Sequence, residues 1–383
     1  MKNIRAAIIG TGFMGRVHLE ALRRVEGVEV VAIVGRELAS AERLGAGFSV
    51  EKAECDYRRI LSDDSIDAVH ICTPNALHYP MAKDALLAGK HVLCEKPITN
   101  TIEEAAELVK LAEQQNLRNC VCHNLRYYPM VQQMRRMRED GNLGRVLMVQ
   151  GTYSQDWLLY NTGWNWRMDP RAGGALRTMA DVGTHWFDMA EHVTGLRVSS
   201  LCADLQTFFP AWKRPKRNIE TFSNQTVNLQ DAEDIEVDTE DYGAVIFHMG
   251  DIARGSMTAS QVSGGRKNHL SLEIYGTDAS VGWDQERPNE LWVGRRNGPN
   301  HLMLKDPASM QIEAAAYSDM PAGHNEGYGD TFKQVFRRFY ASIAEPQAPA
   351  NYPQFIDGFR HMQLMQAELE SHRKRGWIDV PGL

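Results

Sequence analysis

Two short segments of this chain have residue types and spacings suited to proton and oxygen chemistry. Glu95-Lys96-Pro97 follows the apolar run His91–Cys94. Proline fixes the chain just beyond Lys96. A lysine at a strand end can donate to a substrate oxygen and hold developing alkoxide charge. Its pKa also shifts readily on partial burial. The second segment is Asp181-Val-Gly-Thr-His185-Trp-Phe-Asp188. Asp181 and His185 stand four apart and share one face of a helix, with Asp188 near that face. Carboxylate and imidazole on one face suit proton transfer to or from a hydroxyl. The same pair serves equally well as a structural hydrogen bond.

A third segment points to a phosphate. Gly10-Thr-Gly12-Phe13-Met14-Gly15 matches G-x-G-x-x-G, with an apolar run before it and helical spacing after it. The first glycine permits a tight turn, the second admits a pyrophosphate, and the third lets helix and strand pack closely. The helix N-terminus then offers N–H groups to the phosphates. About twenty residues on, an NAD-specific site usually carries an acid for the ribose 2′-hydroxyl. Here the chain reads Val34-Gly35-Arg36-Glu37. Arg36 suits an adenine face or a 2′-phosphate, and Glu37 serves the ribose if the register is displaced. The expected cofactor is NAD or NADP, with a slight lean to NADP.

These segments need a scaffold. The first 125 residues alternate apolar runs with helical patterns: Ala6–Gly10, a helix over Val17–Val25, then Val28–Val34 and Ile66–Cys72. A helix over Leu77–Ala88, the run His91–Cys94, a helix over Ile102–Gln115 and Asn119–His123 follow. Such alternation predicts an α/β Rossmann-type domain with a parallel sheet. Thr73-Pro74-Asn75 with His78, like Glu95-Lys96-Pro97, then lies at a strand carboxyl end, where open α/β sheets bind ligands. Beyond, the spacing predicts a strand over Val146–Tyr153 and a helix over Gly174–Val193. Strands follow at Val198–Thr207, Tyr242–Met249, Ala253–Ser260, Asn268–Tyr275 and Ala279–Trp283. Strands in succession predict a C-terminal α+β domain on a large, mostly antiparallel sheet. Two helices close the chain; Phe332, Val335, Phe336 and Phe339 form a core-facing stripe. We therefore expect domains at 1–125 and 126–383, with the final helices free to pack back on the first. Lys213–Arg217, a basic tip, and Asp231–Asp241, with seven acids in eleven residues, read as solvated loops.

The bulk numbers narrow the partners. A net charge of −7 with interspersed signs argues against nucleic acid or an anionic membrane. No run is apolar and long enough to span a bilayer, and no leader pattern opens the chain. Most of the six cysteines sit in apolar runs, and Cys120-Val-Cys122 lacks a metal-ligand or redox spacing. A reduced cytoplasmic protein with no metal is expected.

Taken together and in this order, several motifs resemble the glucose–fructose oxidoreductase / inositol dehydrogenase (Gfo/Idh/MocA) family over nearly the whole length. They are the glycine turn, Thr73-Pro74-Asn75 with His78, Ala88-Gly-Lys-His91, Glu95-Lys96-Pro97, Asn124-Leu-Arg126-Tyr-Tyr-Pro129, and Asp181-Val-Gly183 with His185. The resemblance implies that Lys96, Asp181 and His185 are the catalytic set. His185 would exchange the hydroxyl proton, Lys96 would bind the reacting oxygen, and Asp181 would bind a neighbouring hydroxyl or orient the other two. It further implies a sugar, anhydrosugar or cyclic polyol substrate, NAD(P)-dependent oxidation of a secondary alcohol, and a homodimer or homotetramer. Around the cofactor, Gly10, Gly12, Phe13, Met14, Gly15, Arg36, Thr73, Pro74, Asn75, His78, Glu95, Lys96, Asn124, Trp166 and Arg167 are candidate contacts. Around the substrate, Lys96, Arg126, Tyr153, Asp156, Asp181, His185 and His324 are candidates; Gln155 and Trp157 add polar and aromatic wall suited to a sugar. Two rival readings are an NAD-dependent glycosidase of related fold and a non-catalytic dinucleotide sensor, which would need neither Lys96 nor His185.

Overall fold

The structure, a computed structural model, describes residues 3–216 and 229–382. Six parallel strands form the first sheet: β1 (Ile4–Ile9), β2 (Val28–Val34), β3 (Lys52–Glu54), β4 (Ala68–Ile71), β5 (His91–Cys94) and β6 (Asn119–Val121). Their order is β3-β2-β1-β4-β5-β6. β4 is buried along its whole length and β1 from Ala6 on, because helices cover both faces. The order reverses between β1 and β4, which opens a crevice at their carboxyl ends. Gly10 and Thr73 lie just beyond those ends.

The first helix runs Phe13–Leu22, not Val17–Val25. It starts at the glycine turn itself, where Gly12 is the N-cap, and the apolar spacing reported only its buried later turns. Gly10 sits at φ +119, a conformation open to glycine. A Cβ on Gly15 would stand 1.9 Å from the Gly10 carbonyl oxygen. Helices at His78–Leu87 and Ile102–Gln114 lie close to their expected places. β3 and the helix Leu38–Ala46 were not anticipated; both are short and weakly apolar.

The second sheet has nine strands. They are β7 (Val146–Ser154), β8 (Val198–Gln206), β11 (Tyr242–Met249), β12 (Ala253–Ser260), β13 (His269–Gly276), β14 (Ser280–Asp284), β15 (Glu290–Gly294), β16 (His301–Leu304) and β17 (Ile378–Asp379). The order is β16-β15-β14-β13-β7-β12-β11-β8-β17. Neighbours pair antiparallel except β7 and β12, which run parallel and end side by side at Ser154 and Ser260. β15, β16 and β17 extend the sheet beyond the sequence expectation. One face packs on the helices Pro129–Glu139, Thr184–Thr194 and Phe355–Lys374 through Trp186, Phe187, Phe247 and Leu272. The opposite face leaves Met148, Ile246, Trp292, Leu302 and Leu304 exposed.

Gly174–Val193 is not one helix. Gly174 takes φ +95, a wide π-type turn spans Met179–Gly183, and the regular helix begins at Thr184. The Asp181 carbonyl in this turn accepts a hydrogen bond from Lys96 Nζ at 2.6 Å. Such bulges recur at functional sites.

The two charged excursions are not loops either. β9 (Ala211–Pro215) and β10 (Ala232–Glu236) pair antiparallel, so Lys213 meets Asp234 and Arg214 meets Glu233. The charge runs are thus two facing edges of one ribbon; Arg217 lies outside the described residues. Glu240 and Asp241 turn inward to hold buried Arg177. Burial pushes the Glu240 carboxyl up to about 7, against the pull of the Met179 and Arg177 N–H groups. A raised carboxyl stabilises the fold fully below its unfolded value of 4.5, and that stability is lost as pH rises to about 7. Glu240→Gln keeps an acceptor and removes the titration. Its free energy of unfolding should gain on the wild type between pH 5 and 7.5, by on the order of 2 kcal/mol. A difference that stays constant over that range would sink the assignment.

The last helices join the two halves. Phe332, Val335, Phe336 and Phe339, on the helix Tyr328–Ala344, pack with Ile8, Leu19, Leu22 and Leu93 of the first sheet and its first helix. The helix Phe355–Lys374 lies against both the helix Ile102–Gln114 and β8.

Candidate active site

Lys96 leaves the carboxyl end of β5 and reaches across to the second half of the chain. Its Nζ donates to the Asp181 carbonyl oxygen at 2.6 Å and to Asp181 Oδ1 at 3.0 Å. Arg167 Nε donates to the same Oδ1 at 3.0 Å, and Gln261 Nε2 to Oδ2 at 2.8 Å. Burial alone would raise the Asp181 pKa; the Arg167 and Lys96 charges and their hydrogen bonds hold it down to about 2. Asp181 is therefore an anion at any working pH. His185 sits one turn on, in the helix Thr184–Thr194, and is 7% exposed. Burial first, then the Lys96 charge and His361, push its pKa well below the usual histidine value. The imidazole is neutral and free to take a proton. Lysine, carboxylate and histidine thus meet where the two halves of the chain face each other.

The wall beside them is polar. Tyr153 OH and Gln155 Nε2 both donate to Asn268 Oδ1, at 2.9 and 2.7 Å, and Trp157 Nε1 donates to Gln155 Oε1. The Tyr153 ring lies 6.4 Å from that of His185. Asp156 is engaged at the rim by Lys267 Nζ at 2.6 Å and the Gly265 N–H. Gln261 and Asn268 were not foreseen. Gln261 follows β12, and only the parallel pairing with β7 brings it to Asp181.

On the cofactor side, the helix that opens at Phe13 has no side-chain cap and no acid in its first turn. A Cβ built on Gly12 meets nothing within 4 Å. A helix start without a side-chain cap, a positive helix end and open space at Gly12 fit a dinucleotide pyrophosphate. Met14 is half-buried behind the exposed Phe13. Arg36 is exposed, with Nη2 3.8 Å from Glu37 Oε1, beyond the end of β2. Thr73 and Pro74 follow β4, and buried Asn75 donates to the Gly173 carbonyl at 2.9 Å. His78 lies with Nδ1 2.7 Å from the Pro97 carbonyl oxygen and Nε2 2.9 Å from that of Thr73, and its one N–H donates to one of the two, packing the ring behind the Lys96-Pro97 loop. Pro97 is in the cis form. Trp166 stacks under the Arg167 guanidinium, 4.4 Å from its centroid, and so presents that cation to Asp181.

Four expected contacts sit elsewhere. Arg126 is buried in a two-point pair with Asp188, not turned toward a substrate. Asn124 is buried and donates to Thr331 Oγ1 at 2.7 Å. His324 lies in an exposed loop, with Nδ1 3.2 Å from the Ala322 carbonyl. Glu95 points under the sheet and heads a buried chain. Its Oε1 accepts from His18 Nε2 at 2.8 Å, His18 and His70 share an Nδ1–Nδ1 contact of 2.9 Å, and His70 Nε2 meets Tyr340 OH at 2.9 Å. One neutral tautomer set satisfies every link, which anchors the strand that carries Lys96.

Comparison with known proteins agrees with this fold. The model of an oxidoreductase family with an NAD-binding Rossmann fold matches residues 4–123, and the GFO/IDH/MocA C-terminal domain matches residues 131–282. Levoglucosan dehydrogenase of Pseudarthrobacter phenanthrenivorans is 31% identical across 100% of this chain and 99% of its own length. D-xylose dehydrogenase of Paenarthrobacter nicotinovorans is 30% identical across 91% and 86%. Among solved structures, a levoglucosan dehydrogenase in complex with NADH and L-sorbose superposes with a TM-score of 0.90 at 29% identity, covering 100% of both chains. An inositol dehydrogenase homologue from Azotobacter vinelandii, complexed with NAD+, gives 0.85 at 26% identity over 99% and 97%. By its sequence, its two-sheet architecture and the full-length match to these dehydrogenases, the chain belongs to the Gfo/Idh/MocA family of oxidoreductases.

Proposed function

We propose that this protein is an NAD(P)-dependent dehydrogenase that interconverts a secondary alcohol and a ketone on a sugar, anhydrosugar or cyclic polyol. One observation carries the reading: a lysine, an ionised carboxylate and a neutral buried imidazole converge beside an uncapped dinucleotide-binding turn. The bound dinucleotide supplies the hydride acceptor. Lys96 binds the reacting oxygen and holds the negative charge that develops on it. His185 accepts the hydroxyl proton. Asp181, held by Lys96, Arg167 and Gln261, keeps the lysine aimed. Tyr153, Gln155, Trp157 and Asn268 present the donors, acceptors and flat surface that a polyol needs.

Arg36 and Glu37, side by side at the end of β2, offer a cation for a 2′-phosphate and a carboxylate for a 2′-hydroxyl. Both cofactors therefore belong in the test. Absorbance at 340 nm is followed with NAD and with NADP against pyranoses, anhydrosugars, pentoses and inositols. Reduction with one class is the expected result. Cleavage of an aryl glycoside with no net change at 340 nm would replace this reading by the glycosidase one. Binding of dinucleotide with no turnover of any kind would favour a sensor.

The exposed apolar residues of the open sheet face suit a second copy of the chain. A monomer mass by light scattering at micromolar concentration would overturn a homodimer or homotetramer. No helix among the described residues is long and apolar enough to cross a membrane. The six free cysteines, four of them buried, accord with a reducing compartment such as the cytoplasm. Protein isolated without reductant should titrate as six thiols on unfolding; fewer would contradict that placement.

A further inference from the structure

The wall beside His185 continues outward to the surface. Tyr153 is linked through Asn268 to Gln155, and Gln155 to Trp157, by hydrogen bonds of 2.9, 2.7 and 2.8 Å. Burial falls along this line. Tyr153 is buried, Gln155 and Trp157 are half-buried, and Tyr160, three residues on, is 74% exposed.

Trp157 and Tyr160 stand on one short turn that is tied down on both sides. On the inner side, the Leu158 N–H donates to the Gln261 carbonyl at 3.1 Å, and the Leu158 side chain is buried with Met168, Trp212 and Val237. Gln261 is also the residue that holds Asp181 Oδ2, so the turn and that carboxylate hang from the same side of the site. On the outer side, the Lys213 N–H of β9 donates to the Asn161 carbonyl at 2.9 Å. The Gly163 N–H closes the turn on the Tyr160 carbonyl at 3.0 Å.

A single exposed tyrosine is ordinary. This one extends an aromatic wall that begins inside the site. The Trp157 ring lies 5.9 Å from the Arg167 guanidinium, and Arg167 in turn donates to Asp181. At the rim beside Trp157, Lys267 Nζ meets Asp156 Oδ2 at 2.6 Å. Flat rings next to donors and acceptors match a pyranose, whose C–H face stacks while its hydroxyls hydrogen-bond. The charges here are paired. Asp156 balances Lys267, and on the adjoining ribbon Lys213 and Arg214 meet Asp234 and Glu233. That balance suits a neutral ring, not a uronate or a sugar phosphate.

We propose that Trp157, Tyr160 and the Asp156–Lys267 pair form an outer subsite for a second, neutral sugar ring. The substrate is then a glycoside of at least two rings, oxidised on the ring that lies against His185. The proposal rests on the reading of the inner site as that of a sugar dehydrogenase and names its substrate class. Contacts to the ring that does not react help to hold the reacting carbon in place, so the second ring should raise kcat/KM as well as affinity.

The test uses the full-length protein and its Tyr160→Ala variant. The position is exposed, so the substitution should leave the fold intact. The first readout needs no turnover. Cellobiose, lactose, maltose and trehalose, with glucose and galactose for comparison, are titrated by calorimetry into protein saturated with NADH, where an alcohol is not oxidised. At least one disaccharide should bind about tenfold more tightly than its constituent sugar, and Tyr160→Ala should abolish most of that difference. The second readout is kcat/KM at 340 nm with NAD and NADP, where the preference for two rings over one should fall by about tenfold in the variant. Disaccharides that bind no better than glucose or galactose would overturn the subsite, as would the same preference in both proteins. A drop in assembly mass of Tyr160→Ala by light scattering would overturn it too, by assigning the tyrosine to a contact between subunits. If Tyr160→Ala fails to fold, Lys267→Gln at the rim is read by the same ratio. Tighter disaccharide binding that is lost in the variant, with no turnover of any sugar, would keep the subsite and refute the dehydrogenase reading; turnover confined to single-ring sugars would do the reverse.

Discussion

Lys96→Met should lower kcat for the active sugar by about a thousandfold, with dinucleotide binding largely retained. Methionine is close to the lysine stem in length, so the loop before cis-Pro97 is kept and the charge removed. Two consequences separate this loss from simple misfolding. Asp181 retains Arg167 and Gln261, so it stays ionised and in place. His185, freed of the neighbouring cation, becomes a stronger base, because Lys96 is one of the causes that lower its pKa. A protonated His185 cannot accept the hydroxyl proton, so the acid limb of the pH–rate profile should move to higher pH. Lys96→Arg keeps the charge but presents a planar fork in place of a point donor, and should recover only part of the rate. Activity of Lys96→Met within tenfold of wild type would remove the lysine from the mechanism.

The second large effect is expected at the glycine turn, where two substitutions differ in kind. In Gly15→Ala the new methyl stands 1.9 Å from the Gly10 carbonyl oxygen, a backbone atom that cannot step aside. Helix and strand must separate, and the melting temperature should fall by many degrees. Gly12→Ala has open space around the same methyl and an ordinary φ of −72. The fold should be untouched, yet the methyl fills the room a pyrophosphate needs. NADH affinity, read by fluorescence, should drop by about a hundredfold. Undiminished affinity in Gly12→Ala would show that the dinucleotide does not approach this turn.

What the sequence disclosed follows from the range of the interactions concerned. The glycine turn and the apolar runs of β1, β4 and β5 are local patterns, and the structure places them as local patterns would, whereas the π-type turn that separates Asp181 from the helix of His185 has no such mark in the spacing. The resemblance to the family supplied the link from Lys96 to Asp181, which are 85 residues apart and share no periodicity. Nothing local marks Gln261 or Asn268. They reach the site because β12 runs parallel to β7 and β13 pairs antiparallel with β7, and register across strands has no signal in one sequence. Charge patterns misled for the same reason. Lys213–Arg217 and Asp231–Asp241 look solvated apart, but pairing of β9 with β10 sets their charges opposite each other, and Arg177 draws Asp241 inside. Arg126 illustrates the converse. A motif made it look available to a substrate, whereas Asp188, 62 residues on, had already engaged it.

The return of the last helices onto the first sheet has a consequence for synthesis. Domains usually fold in order as the chain leaves the ribosome, N-terminal first. Here the face formed by Ile8, Leu19, Leu22 and Leu93 is covered by Phe332, Phe336 and Phe339. When the strands of the dinucleotide-binding half emerge, their cover is more than two hundred residues from being made. The nascent half must therefore wait with an apolar face in water, and a chain halted before the helix Tyr328–Ala344 should be retained by chaperones, not released as a working fragment.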